Sequence, residues 1–539
     1  MRGRPLSRAV VLVSAVILVA ALAGYVAGPR ANAAPPTPPT PQNTAAGGGP
    51  VATHTPAKPL TLPAPAVRMK FQDFVKDPNR LNALIKAVKV MKDRSKANPA
   101  SADYRTSWEY WSAMHGFYGP DAKAGLIQDA INDSPPAKQP FFKGLRDLVY
   151  PAQPPGLAAQ VWDQCQHGTP SFLTWHRMFL YYFERVLQGA ANDKSLRLPY
   201  WDYTDPAQIQ LPAQFAQAKL SGGADNPLFD PRRRSQTVQL NPNQTNVDKL
   251  LKKTAYSSFS SELEQQPHGS THCTVGPDCP YPLMGDVPVA ATDAIFWLHH
   301  ANIDRIFECW LKEGGAVPDS LKGQTFAFVD ENGALVKLKF SELPIDYVYD
   351  HVDNCGRKPT KRFTATPESI LAAQPATSVG KVQSFQIGDA SAAVALPLAK
   401  SGPPADILKH SLLAPAGPAR TELVLDDITV EKSPGVLFDV YLSTVGANPR
   451  RQYVATISFF NMGHHGKKAM AAPKVSRHID VTEELKALQG ASAEVPQVQV
   501  VFEASNGTAS STLQAARGLF NRQSGLRIGT IQLQVKGGS

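Results

Sequence analysis

Seven of the chain's 13 histidines form a constellation that constrains every other reading of it. One cluster is His167-x8-His176-Arg177, and a second is Pro267-His268-x3-His272 followed by His299-His300-Ala-Asn-Ile-Asp304-Arg305, with His115 upstream. Seven imidazoles are enough for two metal ions with three ligands each and one to spare. A donor set built from imidazole alone suits copper, zinc, iron or nickel rather than magnesium, calcium or manganese. A lone histidine is usually a packed core or surface residue. Seven at this spacing, set among Phe172, Trp175, Phe296 and Trp297, are read as ligands.

The spacing says how the ligands are presented. His268 and His272 are four apart, which on a helix puts both on one face, and Pro267 suits the start of that helix because its missing N–H is not needed there. Phe172, His176, Phe179, Leu180 and Phe183 share a stripe over 172–187, so His176 points inward. Apolar residues at helical spacing predict a helix over 81–92. Thr292 or Asp293 would cap another that runs to Leu311. His299 and His300 are adjacent and point in different directions, so only one joins the metal. His300 is favoured, with His299 just outside it, Asp304 one turn on as a carboxylate able to hold an imidazole nitrogen, and Phe296 one turn before as a contact of the cofactor. His464-His465 stands beside Gly466-Lys467-Lys468 and reads as a polar loop.

At 539 residues the chain should form two or three domains. Arg2, Arg4 and Arg8 precede an apolar stretch over 9–28 and the small-residue site Ala31-Asn32-Ala33, so 1–33 reads as a signal peptide of an exported protein. The stretch is about long enough to span a bilayer, and an uncleaved anchor is the alternative. Residues 34–66, rich in Pro, Thr, Ala and Gly, read as a tether. The catalytic region, 67–363, is mainly helical. Small polar residues over 364–384 read as a linker, and 385–539 carries alternating runs, such as 436–442, 453–459 and 528–535, that predict a β-sandwich. The net charge of +10 is scattered along the chain, and no nucleic-acid motif is present.

These motifs resemble the two copper motifs of type-3 copper proteins: tyrosinases, catechol oxidases and hemocyanins. Leu198-Pro-Tyr-Trp-Asp-Tyr203 is similar to a further family segment, and the resemblance covers most of 67–355. It implies a four-helix-bundle core with one copper on His115, His167 and His176 and a second on His268, His272 and His300. It implies O2 as co-substrate and a small phenol as substrate. The segment from Phe328, Tyr347-Val-Tyr349 and Leu437-Phe-Asp-Val440 look like plant-type polyphenol oxidases, whose C-terminal domain shields the copper site in latent forms. No residue of this chain is singled out as the plug. Cys165-x-His167 is similar to the fungal tyrosinase spacing in which the sulfur is bonded to the histidine ring. With Cys165 set aside, Cys273–Cys279 and Cys309–Cys355 are plausible disulfides, although spacing cannot fix connectivity. Glu264 matches a glutamate that orients a water near the second copper, and Val287 matches a gate position that is bulky in some plant enzymes. Gly269, after His268, stands where monophenol-hydroxylating tyrosinases often carry Asn, which favours diphenol oxidation. Monophenol hydroxylation or o-aminophenol oxidation is the alternative activity. A hemocyanin-like oxygen carrier and, more weakly, a zinc hydrolase are readings of other classes.

Overall fold

The computed structural model describes residues 66–537 except 118–127, 129–130, 133–138, 145–155, 163, 278, 280–282, 353–375, 414–418, 461, 463–474 and 491–493. The expected signal peptide, most of the tether, the first part of the expected linker and His464-His465 lie outside the described residues.

The first part of the chain is helical. The helices that matter are α1 (Pro78–Arg94), α2 (Trp108–Met114), α3 (Phe172–Ala191), α4 (Tyr256–Leu263), α5 (Ser270–Val275) and α6 (Ile295–Lys312). Helix α1 starts where Asp77 accepts the Asn79 N–H at 2.9 Å and Pro78 takes the first position. It buries Leu84, Ala87, Val88 and Met91. Helix α3 is buried on nearly all sides and ends at Asn192, whose φ of 54° closes the last turn. The cap expected at Thr292 or Asp293 falls instead on Ala294, which has no side chain to cap with; Asp293 before it accepts the Ile295 N–H at 3.1 Å and binds Arg233 through both oxygens, at 2.6 and 2.7 Å. Between α4 and α5 the chain breaks at Gln266 (φ −151°, ψ 123°) and resumes helical geometry at Pro267, as the proline predicted.

A short parallel pair, β1 (Ala66–Arg68) with β4 (Tyr347–Tyr349), ties the start of the described chain to the end of the helical part, and β2 (Thr325–Val329) and β3 (Leu335–Lys339) form a separate hairpin. From Ala376 the chain is β-rich. Strands β5 (Ala376–Gln386), β7 (Arg420–Thr429), β10 (Val475–Asp480) and β12 (Arg527–Lys536) form one antiparallel sheet in the order β10-β7-β12-β5. Strands β6 (Ser391–Ala395), β8 (Leu437–Thr444), β9 (Arg451–Ile457) and β11 (Val498–Ser505) form another, in the order β6-β11-β8-β9. Leu423, Leu425, Ile531 and Leu533 of one sheet and Val440, Leu442, Val500 and Phe502 of the other are fully buried, and Phe385 meets Phe502 at 5.8 Å between ring centroids. The molecule is therefore a helical domain followed by a two-sheet β domain.

The expected linker is corrected in its second half. Residues 376–384 belong to β5, which pairs with β12 in a register that sets Gly380 against Leu533. Their small polar side chains gave no alternation to read, but the ladder is made by backbone groups, and a Cβ on Gly380 would meet Leu398 at 2.7 Å.

Candidate metal centre

Four of the histidines share one orienting device. Nδ1 of His115 lies 2.8 Å from the Val287 carbonyl oxygen, that of His176 2.8 Å from Phe172, that of His268 2.9 Å from Glu264 and that of His272 2.8 Å from Met284. A carbonyl oxygen only accepts, so each Nδ1 must carry the proton and each Nε2 presents its lone pair. The Nε2 atoms of His115 and His268 are buried and have no hydrogen-bond partner. Burial keeps these rings neutral: it lowers His115 and His268 to about 3 and holds His176, His272, His299 and His300 well below the usual imidazole range. Neutral, inward-facing imidazoles are what a metal ion requires.

The rings fall into two groups. His115, Cys165, His167 and His176 bring their ligand atoms within 4.8 Å of one another, and so do His268, His272, His299 and His300. The groups are side by side, with His176 stacked on His300 at 4.8 Å and His167 on His268 at 5.8 Å. His115 sits at the end of α2, His167 on the loop before α3, His176 within α3, His268 and His272 on the resumed helix, and His299 and His300 within α6. The donor set is imidazole with one nearby thiol and no carboxylate, which fits copper.

The structure brings the other expected residues to this place with two corrections. His299 does not stand apart from the second group but shares it. Its Nδ1 is 2.8 Å from the Tyr203 hydroxyl, and its Nε2 is buried without a partner. Asp304 holds no histidine. Its carboxylate accepts from Arg177 at 2.5 Å, from Tyr347 and Tyr349 at 2.8 Å each, and from Arg68 at 3.4 Å. Burial opposes its charge, but Arg177 and Arg68 hold its pKa below the usual value. Two buried guanidiniums outcompete a neutral imidazole for a carboxylate. Phe296 sits where expected, its ring 4.6 Å from His115 and 4.1 Å from His300. Val287 is fully buried, and its carbonyl accepts from His115 Nδ1. Cys165 is unpaired, with Sγ 3.3 Å from His167 Nδ1 and 3.8 Å from His176 Nε2. Cys273–Cys279 is a disulfide. Cys309 is disulfide-bonded, and Cys355 lies outside the described residues.

Glu264 joins both groups. Its carbonyl orients His268, and its buried carboxylate accepts the Gly168 N–H, next to His167, at 2.6 Å. Burial pushes its pKa up to about 8 against that hydrogen bond.

The residue that sequence reading missed is Phe460. It follows β9 in the C-terminal domain and lays its ring on His272, centroids 3.9 Å apart and planes 6° from parallel, with its centroid 5.3 Å from that of His268 and 5.7 Å from that of His167. A phenylalanine carries no metal chemistry, so no motif could flag it. Its seat is held by polar contacts across the seam. Arg477 binds Glu262 at 3.0 Å and the Thr456 carbonyl at 2.7 Å, Gln266 accepts the Thr456 N–H at 2.9 Å, and Gln244 donates to the buried Asp439 at 3.1 Å.

Comparison with known proteins agrees with this geometry. The family model for the common central domain of tyrosinase matches residues 105–227 and 213–313. The chain is 28% identical over 337 residues to the tyrosinase HcTyr1 of a Hahella species, covering 55% of this chain and 66% of that one. It is 25% identical over 378 residues to a chloroplastic polyphenol oxidase of Malus domestica, covering 60% and 62%. It thus spans just under two thirds of these relatives. Its fold is similar to that of a solved latent aurone synthase (polyphenol oxidase), with a TM-score of 0.53 at 18% identity, covering 88% of this chain and 90% of that one. Residues 105–313, which hold both adjoining imidazole groups, carry the common central domain of tyrosinase, the domain of a family of binuclear copper enzymes that use O2.

Proposed function

We infer that the protein oxidises o-diphenols to o-quinones with O2 and is latent until its C-terminal domain is displaced. One copper would be held by His115, His167 and His176 and the other by His268, His272 and His300, with His299 fixed beside them by Tyr203. When bound, the copper pair supplies the electron transfer between phenol and O2. The chain supplies the rest. Main-chain carbonyls fix which nitrogen of each ring faces inward, and Phe296 and Phe172 keep the floor apolar. Glu264 sets a buried carboxyl beside His268 and Gly168, where its ionised form can take a phenol's proton. Cys165 lies close enough to His167 for a thioether. The observation that carries the latency reading is the Phe460 ring stacked on His272, in the space an aromatic substrate would take. The Arg-flanked apolar segment ahead of Ala31-Asn32-Ala33 supports export.

The test is oxygen uptake by the copper-loaded full-length chain with an o-diphenol and a matched monophenol, before and after cleavage at a protease site placed within 364–375. Uptake with the diphenol alone, rising on cleavage, is the expected result. Prompt uptake with the monophenol would make the protein a monophenol-hydroxylating tyrosinase. No uptake in any state with both coppers bound would make it an oxygen carrier.

A further inference from the structure

Gly269 has helical backbone angles, φ −62° and ψ −34°, between His268 and His272 of the second group. Alanine is the better helix former at such a position, so the glycine needs a reason. A β-carbon built on Gly269 would stand 2.7 Å from Ser458 Oγ, 3.2 Å from Ser458 Cβ and 3.2 Å from the Glu264 carbonyl oxygen. Rotating the serine hydroxyl relieves the first contact but not the second, because Cβ is fixed by the backbone. Ser458 is buried in the C-terminal domain, where its Oγ accepts the Phe460 N–H at 3.3 Å and lies 3.6 Å from Cys273 Sγ, one turn along from Gly269. Ser458 therefore rests on positions 269 and 273 of the helix, and Phe460 two residues later reaches His272. The close approach is reciprocal. Gly507 of the C-terminal domain, at φ +80°, has room only for hydrogen against the same helix: its Cβ would lie 2.9 Å from Thr274 Cβ. Its carbonyl accepts the Asn241 N–H at 2.9 Å.

We propose that Gly269 is a docking position for the C-terminal domain: the missing β-carbon lets Ser458 seat on the histidine-bearing helix and so places Phe460 over the centre. Gly269 thereby sets how tightly the latent state is held. This rests on the latency reading above, and deepens it by naming where the seal is made.

The test compares Gly269→Ala, Ser458→Gly and the double variant with the parent, all full-length and copper-loaded. Hydrogen exchange over 453–460 reports seating, and o-diphenol oxidation before cleavage reports latency. Gly269→Ala should speed exchange and raise uncut activity by about tenfold each, because the added methyl pushes Ser458 off the helix and makes local opening easier. Adding Ser458→Gly should return both to within about threefold of the parent, since it clears the space and leaves alanine in a helix that favours it. Unchanged exchange in Gly269→Ala overturns the proposal. So does a double variant that exchanges as fast as Gly269→Ala, because the effect then belongs to the Glu264 carbonyl. If exchange follows the expected pattern while no variant turns over in any state, the docking position stands and the latency reading falls.

Discussion

The helical domain and the β domain meet along a seam that reaches the metal centre, and they are specified in opposite ways. The metal centre is made of chemically distinctive side chains, seven histidines held on and beside helices, and its inner orientation is set locally: His176 by the carbonyl one turn back and His268 by the carbonyl of Glu264. The β domain brings to the same place the hydrocarbon ring of Phe460, and its position depends on contacts far apart in sequence, such as Arg477 with Glu262 and Gln244 with Asp439. A reactive centre can be written in local pattern, whereas its cover is written in tertiary packing.

The strongest way to break this contrast is on the metal side. His272→Ala should abolish diphenol oxidation and lower the copper bound per chain, as read by metal analysis, because His299, the nearest imidazole outside the two proposed ligand sets, is tied at Nδ1 to Tyr203. Next is the cover. Phe460→Ala should raise oxidation by the uncut chain toward that of the cleaved chain while leaving copper content unchanged, and equal rates before and after cleavage would mark the ring as the whole block. Removing a core aromatic costs roughly 3–5 kcal/mol, so a lower melting temperature should accompany the gain. The seam comes third. Arg477→Ala takes the nearest cation from the partly buried Glu262, which keeps Lys253 at 4.0 Å, and losing a charged hydrogen bond costs about 1.5–3 kcal/mol, to be seen as a lowered urea midpoint of the intact chain.

The smallest expected effect is on pH dependence, and its sign can be worked out. Burial opposes the charge on Glu262, but Arg477, Lys253 and Lys249 hold its pKa below the usual value. The stability it contributes is present above the unfolded carboxylate pKa of about 4.3 and is lost as pH falls through the lower folded value. Asp439 is the reverse. Burial raises its pKa, so its protonation favours the folded seam as pH falls through the raised folded value, and the gain is complete once pH is below the unfolded value. Glu262→Gln should remove the acid weakening measured by exchange over 453–460, and Asp439→Asn should remove the opposing trend.

The same contrast explains what the sequence made legible. The histidine sets, the helices around 81–92 and 172–187 and the alternating strands over 436–442 and 528–535 were readable because side-chain chemistry and periodicity coincide there. Asp304 was placed one turn from His300, but the Arg68 and Arg177 that claim it come from β1 and α3, and no local pattern reports them. Strand β5 was hidden because its pairing is backbone to backbone. Phe460 was hidden because a buried phenylalanine over a metal centre and one in an ordinary core look alike.

The carbonyls that orient His115, His176, His268 and His272 belong to the main chain. No substitution at Val287, Phe172 or Met284 deletes the acceptor, except through a change of backbone path. Side chains around the mouth can therefore drift, and with them the set of phenols admitted, while the inner nitrogens stay aimed. The centre is inherited with the path of the chain, and its selectivity is left open to change residue by residue.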